Sequence, residues 1–252
     1  LNNLNEFVVS WKIFESNRFK NVELSSRGLY AVAIKNTLDI SYNTQFQVLD
    51  VSNNELPVSV VSLSSNIFAS NEQLQSKNLR NPSSSTSDTH DIMNDNISIS
   101  KDGQYAVFTT TSSADNADGS TYNQAYILKN NLSTASSTDW SLYKIDRSSI
   151  VNSDFSQNNI QSRFSLRFSD DDTKLLGYVV SSTYTTLLEI SFNEIDFNTY
   201  TATTHSDTSL NSSSLIDISG ISLIIPVSFS DDTIRGISFS EGSRYFHTIN
   251  YD

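Results

Sequence analysis

A hairpin that recurs constrains this chain more than any other feature in it. Residues 97–108, ISISKDGQYAVF, read as an alternating strand (Ile97, Ile99), a Ser-Lys-Asp-Gly turn and a second strand opening Tyr-Ala-Val-Phe. Asp-Gly between two alternating runs is a strong hairpin signal, because glycine enters the left-handed region without a Cβ clash and aspartate bonds its own backbone. The same layout returns in VELSSRGLYAVAI (22–34), SLRFSDDDTKLLGYVV (165–180) and PVSFSDDTIRGISF (226–239). The turn serines Ser25, Ser100, Ser169 and Ser230 stand 75, 69 and 61 residues apart. A chain with this period is expected to hold four degenerate copies of one β unit.

The alternating segments give each unit its strands. Unit one (about 17–65) has strands near 21–25, 29–35, 45–51 and 58–64; unit two (96–147) near 97–100, 104–111, 123–129 and 140–146. Unit three (164–204) has them near 164–169, 174–181, 185–192 and 195–203, and unit four (220–252) near 221–229, 233–239 and 244–250. Unit four is one strand short. The segment FVVSWKIF at 7–14 carries bulky residues on both faces, among them Phe7, Val9, Trp11 and Ile13, and belongs to no unit in order. It fits the vacancy, and closing a ring this way removes exposed sheet edges. Val, Ile, Thr, Tyr and Phe dominate these segments, as strands prefer, and no helical apolar period competes. The expectation is an all-β fold in one domain, 1–252: a propeller-like array of about four four-stranded antiparallel blades, with the N-terminal strand completing the last.

Residues Ser100-Lys101-Asp102-Gly103-Gln104-Tyr105-Ala106-Val107, and in part Ser25-Ser26-Arg27-Gly28-Leu29-Tyr30-Ala31-Val32, resemble the blade motif of β-propellers of the WD-like and TolB-like kind. In those families a Ser-Pro-Asp-Gly-Lys-x-Leu/Tyr-Ala/Val stretch lies between the innermost strand and the next. The resemblance implies a propeller fold. Here the proline is missing throughout, and the later copies carry Asp172-Thr173 and Asp232-Thr233 in place of Asp-Gly. Gly177 and Gly236 then align with Ala31 and Ala106, the third copy needing two extra residues to do so. A small residue there suits the close approach of inner strands near an axis. A quarter of the chain, about 63 residues, exceeds the ~40 to 50 of a usual blade, so loop insertions must carry the excess. A larger propeller, a sandwich and an open solenoid stay open as alternatives.

The totals exclude several function classes. A net charge of −12 opposes nucleic acid and anionic membrane as partners, since both call for a positive surface. No run approaches the ~18 to 20 apolar residues needed to span a bilayer. The chain has no cysteine, which removes disulfides, zinc-thiolate sites and thiol catalysis. It begins with Leu1 and no charged-then-apolar leader, as expected of a processed chain or a segment of something longer.

Candidate chemistry is sparse. Asp170-Asp171-Asp172 and Asp231-Asp232 read as turn caps, because a tight turn cannot aim all its carboxylates at one calcium ion. The loop at 115–119 misses the calcium-loop spacing. His90, His205 and His247 are far apart in sequence, and no nucleophile elbow, zincin motif or phosphate loop occurs. Trp11, Trp140, Tyr143 and Tyr245 are expected to pack between sheets rather than stack on sugars. No residue is therefore expected to be catalytic or to hold a metal or cofactor.

The clearest signal is glycan acceptance. Asn96, Asn131 and Asn211 each begin an N-x-[ST] sequon, whereas Asn81 is followed by proline and is excluded. The Ser/Thr tracts at 83–89, 133–138 and 201–214 have the composition of O-glycosylated linkers. These features point to a non-enzymatic structural or interaction module, extracellular or on a cell surface. Its partners would be covalent glycans and other protein copies, with filament assembly through terminal strands as the specific version. The alternative is a ligand-binding propeller, lectin or glycosidase-like, with a site at the axial mouth.

Overall fold

The computed structural model describes residues 18–25, 27–36, 44–52, 58–64, 72–74, 97–112, 123–131, 139–146, 163–180, 185–209, 211–218, 222–225, 234–239 and 246–250. Strand is the regular structure among them, broken by three short 3₁₀ turns. The first sheet is a meander of β1 (Arg18–Leu24), β2 (Tyr30–Asn36), β3 (Thr44–Asp50) and β4 (Val58–Ser64), each antiparallel to the next. A short strand, β5 (Glu72–Leu74), precedes the second sheet. That sheet is built on β6 (Ile97–Ile99), β7 (Tyr105–Ser112), β8 (Asn123–Asn130) and β9 (Trp140–Ile145). β6 pairs with β7 at Ala106–Phe108, and β5 continues along the same edge at Thr110–Ser112.

The third sheet contains β10 (Arg163–Phe168), β11 (Lys174–Val180) and β12 (Thr185–Ser191). Its fourth strand is not the expected 195–203. Residues 192–194 and 197–199 form 3₁₀ turns instead. From there the chain crosses to the second sheet, laying β13 (Thr203–Thr204) antiparallel and β14 (Leu215–Ile216) parallel to β9. It then returns as β15 (Ser222–Ile225), antiparallel to β12. A strand expected to open the fourth unit thus closes the third sheet. β16 (Ile234–Phe239) and β17 (Phe246–Asn250) form a two-stranded antiparallel sheet. The segment carrying Phe7, Val9, Trp11 and Ile13 lies outside the described residues.

Sheet order follows from residues that are apolar on both faces. Along β8, Ala125, Tyr126, Ile127 and Leu128 are all buried, and strand geometry sends alternate residues to opposite sides. Tyr126 and Leu128 join Phe108, Trp140 and Leu142 against Val32, Phe46 and Leu63 of the first sheet. Phe46 and Phe108 meet with ring centroids 4.3 Å apart. The other parity, Val107, Ile127, Tyr143 and Ile145, packs on Leu166, Leu175, Leu188 and Ile190 of the third. First strands lie side by side: β6 touches both β1 and β10, and the Ser98 hydroxyl accepts the Phe168 N–H at 3.1 Å across that junction. Consecutive antiparallel meanders stacked face to face with neighbouring first strands make an all-β, propeller-like array.

Removing packing between sheets should cost more than trimming the rim. Leu142→Ala, at a fully buried position, is expected to lower stability by ~2 to 5 kcal/mol. Leu215→Ala, 40% exposed, should stay within about 0.5 kcal/mol. Chemical denaturation midpoints at constant m-value compare the two directly.

Candidate functional site

The serine turns lie at the same end of successive sheets, and their bonding repeats. In each, the serine N–H donates to the carbonyl of the fifth residue on: Ser25 to Tyr30, Ser100 to Tyr105 and Ser169 to Lys174, at 2.8 to 2.9 Å. The serine hydroxyl accepts the N–H of that same residue, at 3.2, 2.9 and 3.1 Å. The third residue on donates back to the serine carbonyl and has positive φ: Gly28 at 66°, Gly103 at 73° and Asp172 at 60°. Bonded this way, Ser25, Ser100 and Ser169 are buried.

This geometry corrects the alignment expected for the third copy. No extra residues are needed, for Asp171 takes the place of Asp102 and Asp172 that of Gly103. Both Asp102 and Asp171 accept their serine hydroxyl at 2.7 Å and the N–H two residues on, from Gln104 and Thr173. Leu175, not Gly177, therefore aligns with Ala31 and Ala106. Aspartate at 172 tolerates the left-handed region because its short polar side chain finds a partner.

Successive turns touch. The Tyr30 ring lies over Gly103, where an added Cβ would come within 2.3 Å of the ring. One step along, the Asp172 carboxylate reaches across to accept the Lys101 N–H at 2.9 Å. Each αL residue is thus covered by the preceding turn, once by an aromatic face and once through a hydrogen bond. Tyr105 stacks on Phe197 at 5.4 Å and meets Phe192 edge-on at 5.0 Å. The Lys129 ammonium stands 6.0 Å from both the Tyr105 and Phe197 rings, and Lys174 pairs with Glu189.

Electrostatics follow the same division of labour. Asp171 accepts from Ser169 and twice from Thr173, and these bonds hold its carboxyl down to about 2. Burial, foremost, raises Asp172, against the Lys101 N–H and charge that favour ionisation. Burial also raises Tyr30 and Tyr105, with Asp102 adding to both. The two carboxylates serve different turns and do not converge. Among the described residues no group of three or more His, Cys, Asp or Glu is placed to hold a metal.

The sequon asparagines fall on different ground. Asn131 is exposed at the end of β8, its Nδ2 donating to Asp139 at 3.0 Å. Asn211 is half-buried, and its Oδ1 accepts the Ser213 N–H at 2.9 Å. Asn96 lies outside the described residues. The tract 201–214, read from composition as a linker, is folded: Thr203 and Ser214 are buried, joined through the Asn211 backbone, while Ser206, Thr208, Ser212 and Ser213 are exposed. Trp140 and Tyr143 are buried between sheets, as packing residues are; Trp11 and Tyr245 lie outside the described residues. His205 is exposed, 6.2 Å edge-on from Trp140. Sequence reasoning missed Tyr30, Lys101 and Asp172 as contact residues, although the constant spacing from each serine was there to find them.

Gly103→Ala is expected to cost ~2 to 5 kcal/mol, combining a left-handed alanine with overpacking against Tyr30. Gly28→Ala meets nothing within 4 Å, so only the backbone cost of ~1 to 2 kcal/mol applies; paired thermal melts test the difference. For Asp171 the folded value lies below the ordinary 3.8, so its ionised form stabilises the fold above that value. The contribution is lost as pH falls toward 2. Asp172, being raised, has the opposite sign and is relieved by acid. In Asp171→Asn the stability loss between about pH 4 and 2 should be shallower than in the parent, as read by denaturation at each pH.

No protein family and no curated protein matches the sequence. Among solved structures, the chain is similar to a Lactobacillus plantarum protein at 12% identity and TM-score 0.43, over 93% of this chain and 48% of that one. It is similar to the Vanderwaltozyma polyspora Nup133 β-propeller domain at 12% identity and TM-score 0.41, over 99% and 57%. Against TolB from Acinetobacter baumannii the identity is 12% and the TM-score 0.39, over 91% and 48%. The chain spans about half the length of these structures.

Proposed function

We propose that this chain is a non-enzymatic interaction module, a blade-array building block of an extracellular or cell-surface protein that carries glycans and binds other protein copies. The observation that carries the reading is the use made of the repeated polar residues. Ser25, Ser100 and Ser169, with Asp102 and Asp171, spend their side chains on their own turns, so what recurs in the sequence serves the stacking of sheets. What reaches solvent is of another kind. Asn131 and the hydroxyls of Ser212 and Ser213 stand at the rim, and apolar Val22 and Leu24 lie on an edge strand.

Glycans on such a rim and protein contacts through apolar edges are compatible, because the two occupy different parts of the array. Among the described residues no helix is long and apolar enough to cross a membrane. Peptide mass spectrometry of the protein from its native source tests the extracellular part of the proposal. Asn131 and Asn211 are expected to carry N-linked sugar, with Asn96 as the third acceptor. Bare asparagines at all three positions, together with unmodified Ser/Thr tracts, would remove the case for secretion.

A further inference from the structure

We infer that Asn130 and Trp140 form an internal binding site for one water molecule, between the first and second sheets at the end where the serine turns lie. The two residues are the last register pair of β8 and β9, so their side chains leave the same face of the sheet, with Cβ atoms ~4.5 to 5.5 Å apart. That face is the one turned toward the first sheet. Trp140 packs there with Tyr126, Leu128 and Leu142 against Val32, Phe46 and Leu63, and Asn130 follows Tyr126 and Leu128 at the same parity along β8. The Asn130 N–H donates to the Gln104 carbonyl at 2.7 Å, which sets the pair next to the turn whose Gly103 lies under the Tyr30 ring.

Both side chains end in a donor that the chain leaves unmatched. Asn130 is 2% and Trp140 4% exposed. The Asn130 Nδ2 and Trp140 Nε1 are themselves buried, and neither has a hydrogen-bond partner among the described residues. Buried polar groups are almost always paired, with protein or with ordered water, because an unmade bond forfeits the hydration that the group has in the unfolded chain. An indole nitrogen only donates, and so does a carboxamide nitrogen. The two therefore cannot satisfy each other, but one acceptor shared between them satisfies both. Closure of both atoms from solvent limits that acceptor to something small, and a buried anion costs far more to desolvate than a neutral molecule. Water meets both conditions, and internal waters take their places by bonding buried groups left over by the protein.

The pair is held in position from either side. The Asn131 N–H donates to the Asp139 carbonyl at 3.2 Å and its Nδ2 to the Asp139 carboxylate at 3.0 Å, which clamps the residues flanking the pair. Beyond Trp140, the register of β13 (Thr203 with Leu142, Thr204 with Ser141) brings His205 alongside the indole, edge-on at 6.2 Å. His205 is exposed, so the row Asn130, Trp140, His205 runs from the interior of the second sheet to its rim.

Nuclear magnetic resonance on the full chain tests the site. The chain has two tryptophans, and Trp140→Phe tells their indole N–H signals apart. In the parent the Trp140 indole proton is expected to show a cross-peak to a long-lived water, and Asn130→Leu should abolish it. The same variant should lower the denaturation midpoint, because it orphans the indole; an amide that was merely unpaired would give a raised midpoint when replaced by an apolar side chain of similar size. A parent indole proton without a water cross-peak, whether bare or bonded directly to the amide oxygen, overturns the inference, and does so even if Asn130→Leu fails to fold. A cross-peak that survives in Asn130→Leu, or a raised midpoint, overturns the sharing of one water by the two residues.

Discussion

A β-sheet whose two faces are both apolar needs a layer on each side, and the second sheet is such a sheet. Tyr126 and Ile127 are adjacent in sequence and both fully buried, one facing the first sheet and the other the third. Antiparallel sheets that meet water on one side alternate apolar and polar residues; one buried on both sides reads as a near-continuous apolar run. YIL in β8 and AVF in β7 are runs of this kind. The stacking of three sheets follows from that double burial, and with it the placing of their turns in one row.

The turns convert stacking into registration. A serine that accepts the N–H of the fifth residue on and a third residue held at positive φ give each turn a fixed shape, with its polar atoms consumed internally. Fixed shapes in a row can fit one another, and the two fits differ in chemistry: an aromatic ring over glycine in one, a carboxylate on a backbone N–H in the other. Asp172 shows how the repeat drifts without breaking. It keeps the left-handed backbone that glycine supplies elsewhere, and its carboxylate accepts the Lys101 N–H of the preceding turn. The first turn retains glycine at the same position, again at positive φ.

The segment after β12 ties the second and third sheets together by another route. Phe192, Ile195, Ile216 and Ile218 enter the core between the sheets, and β13 and β14 close the outer edge of β9. An open sheet edge invites pairing with other chains, and here it is covered from within. The hydroxyl-rich composition of this segment concealed it, because Thr203 and Ser214 satisfy buried backbone instead of facing solvent. The segment is thus apolar and hydrogen-bonded on its inner side, and exposed and polar at Ser206, Thr208, Ser212 and Ser213 on its outer.

Much of this was legible in the residues. Period-2 alternation located the strands of the first two sheets, because strand geometry is a local property of side-chain order; the recurring serine and glycine located the turns, because only certain residues accept that backbone. The aromatic pair Trp140 and Tyr143 was expected in the core and is there. What the chain order could not fix was partnership. Whether 195–203 or 222–225 closes the third sheet depends on which segment can bury its apolar residues without orphaning backbone groups, a contest settled across distant parts of the chain. The same holds for the Tyr30 ring over Gly103 and for Asp172 on Lys101: spacing within each turn is written in sequence, but contact between turns exists only once the sheets have stacked.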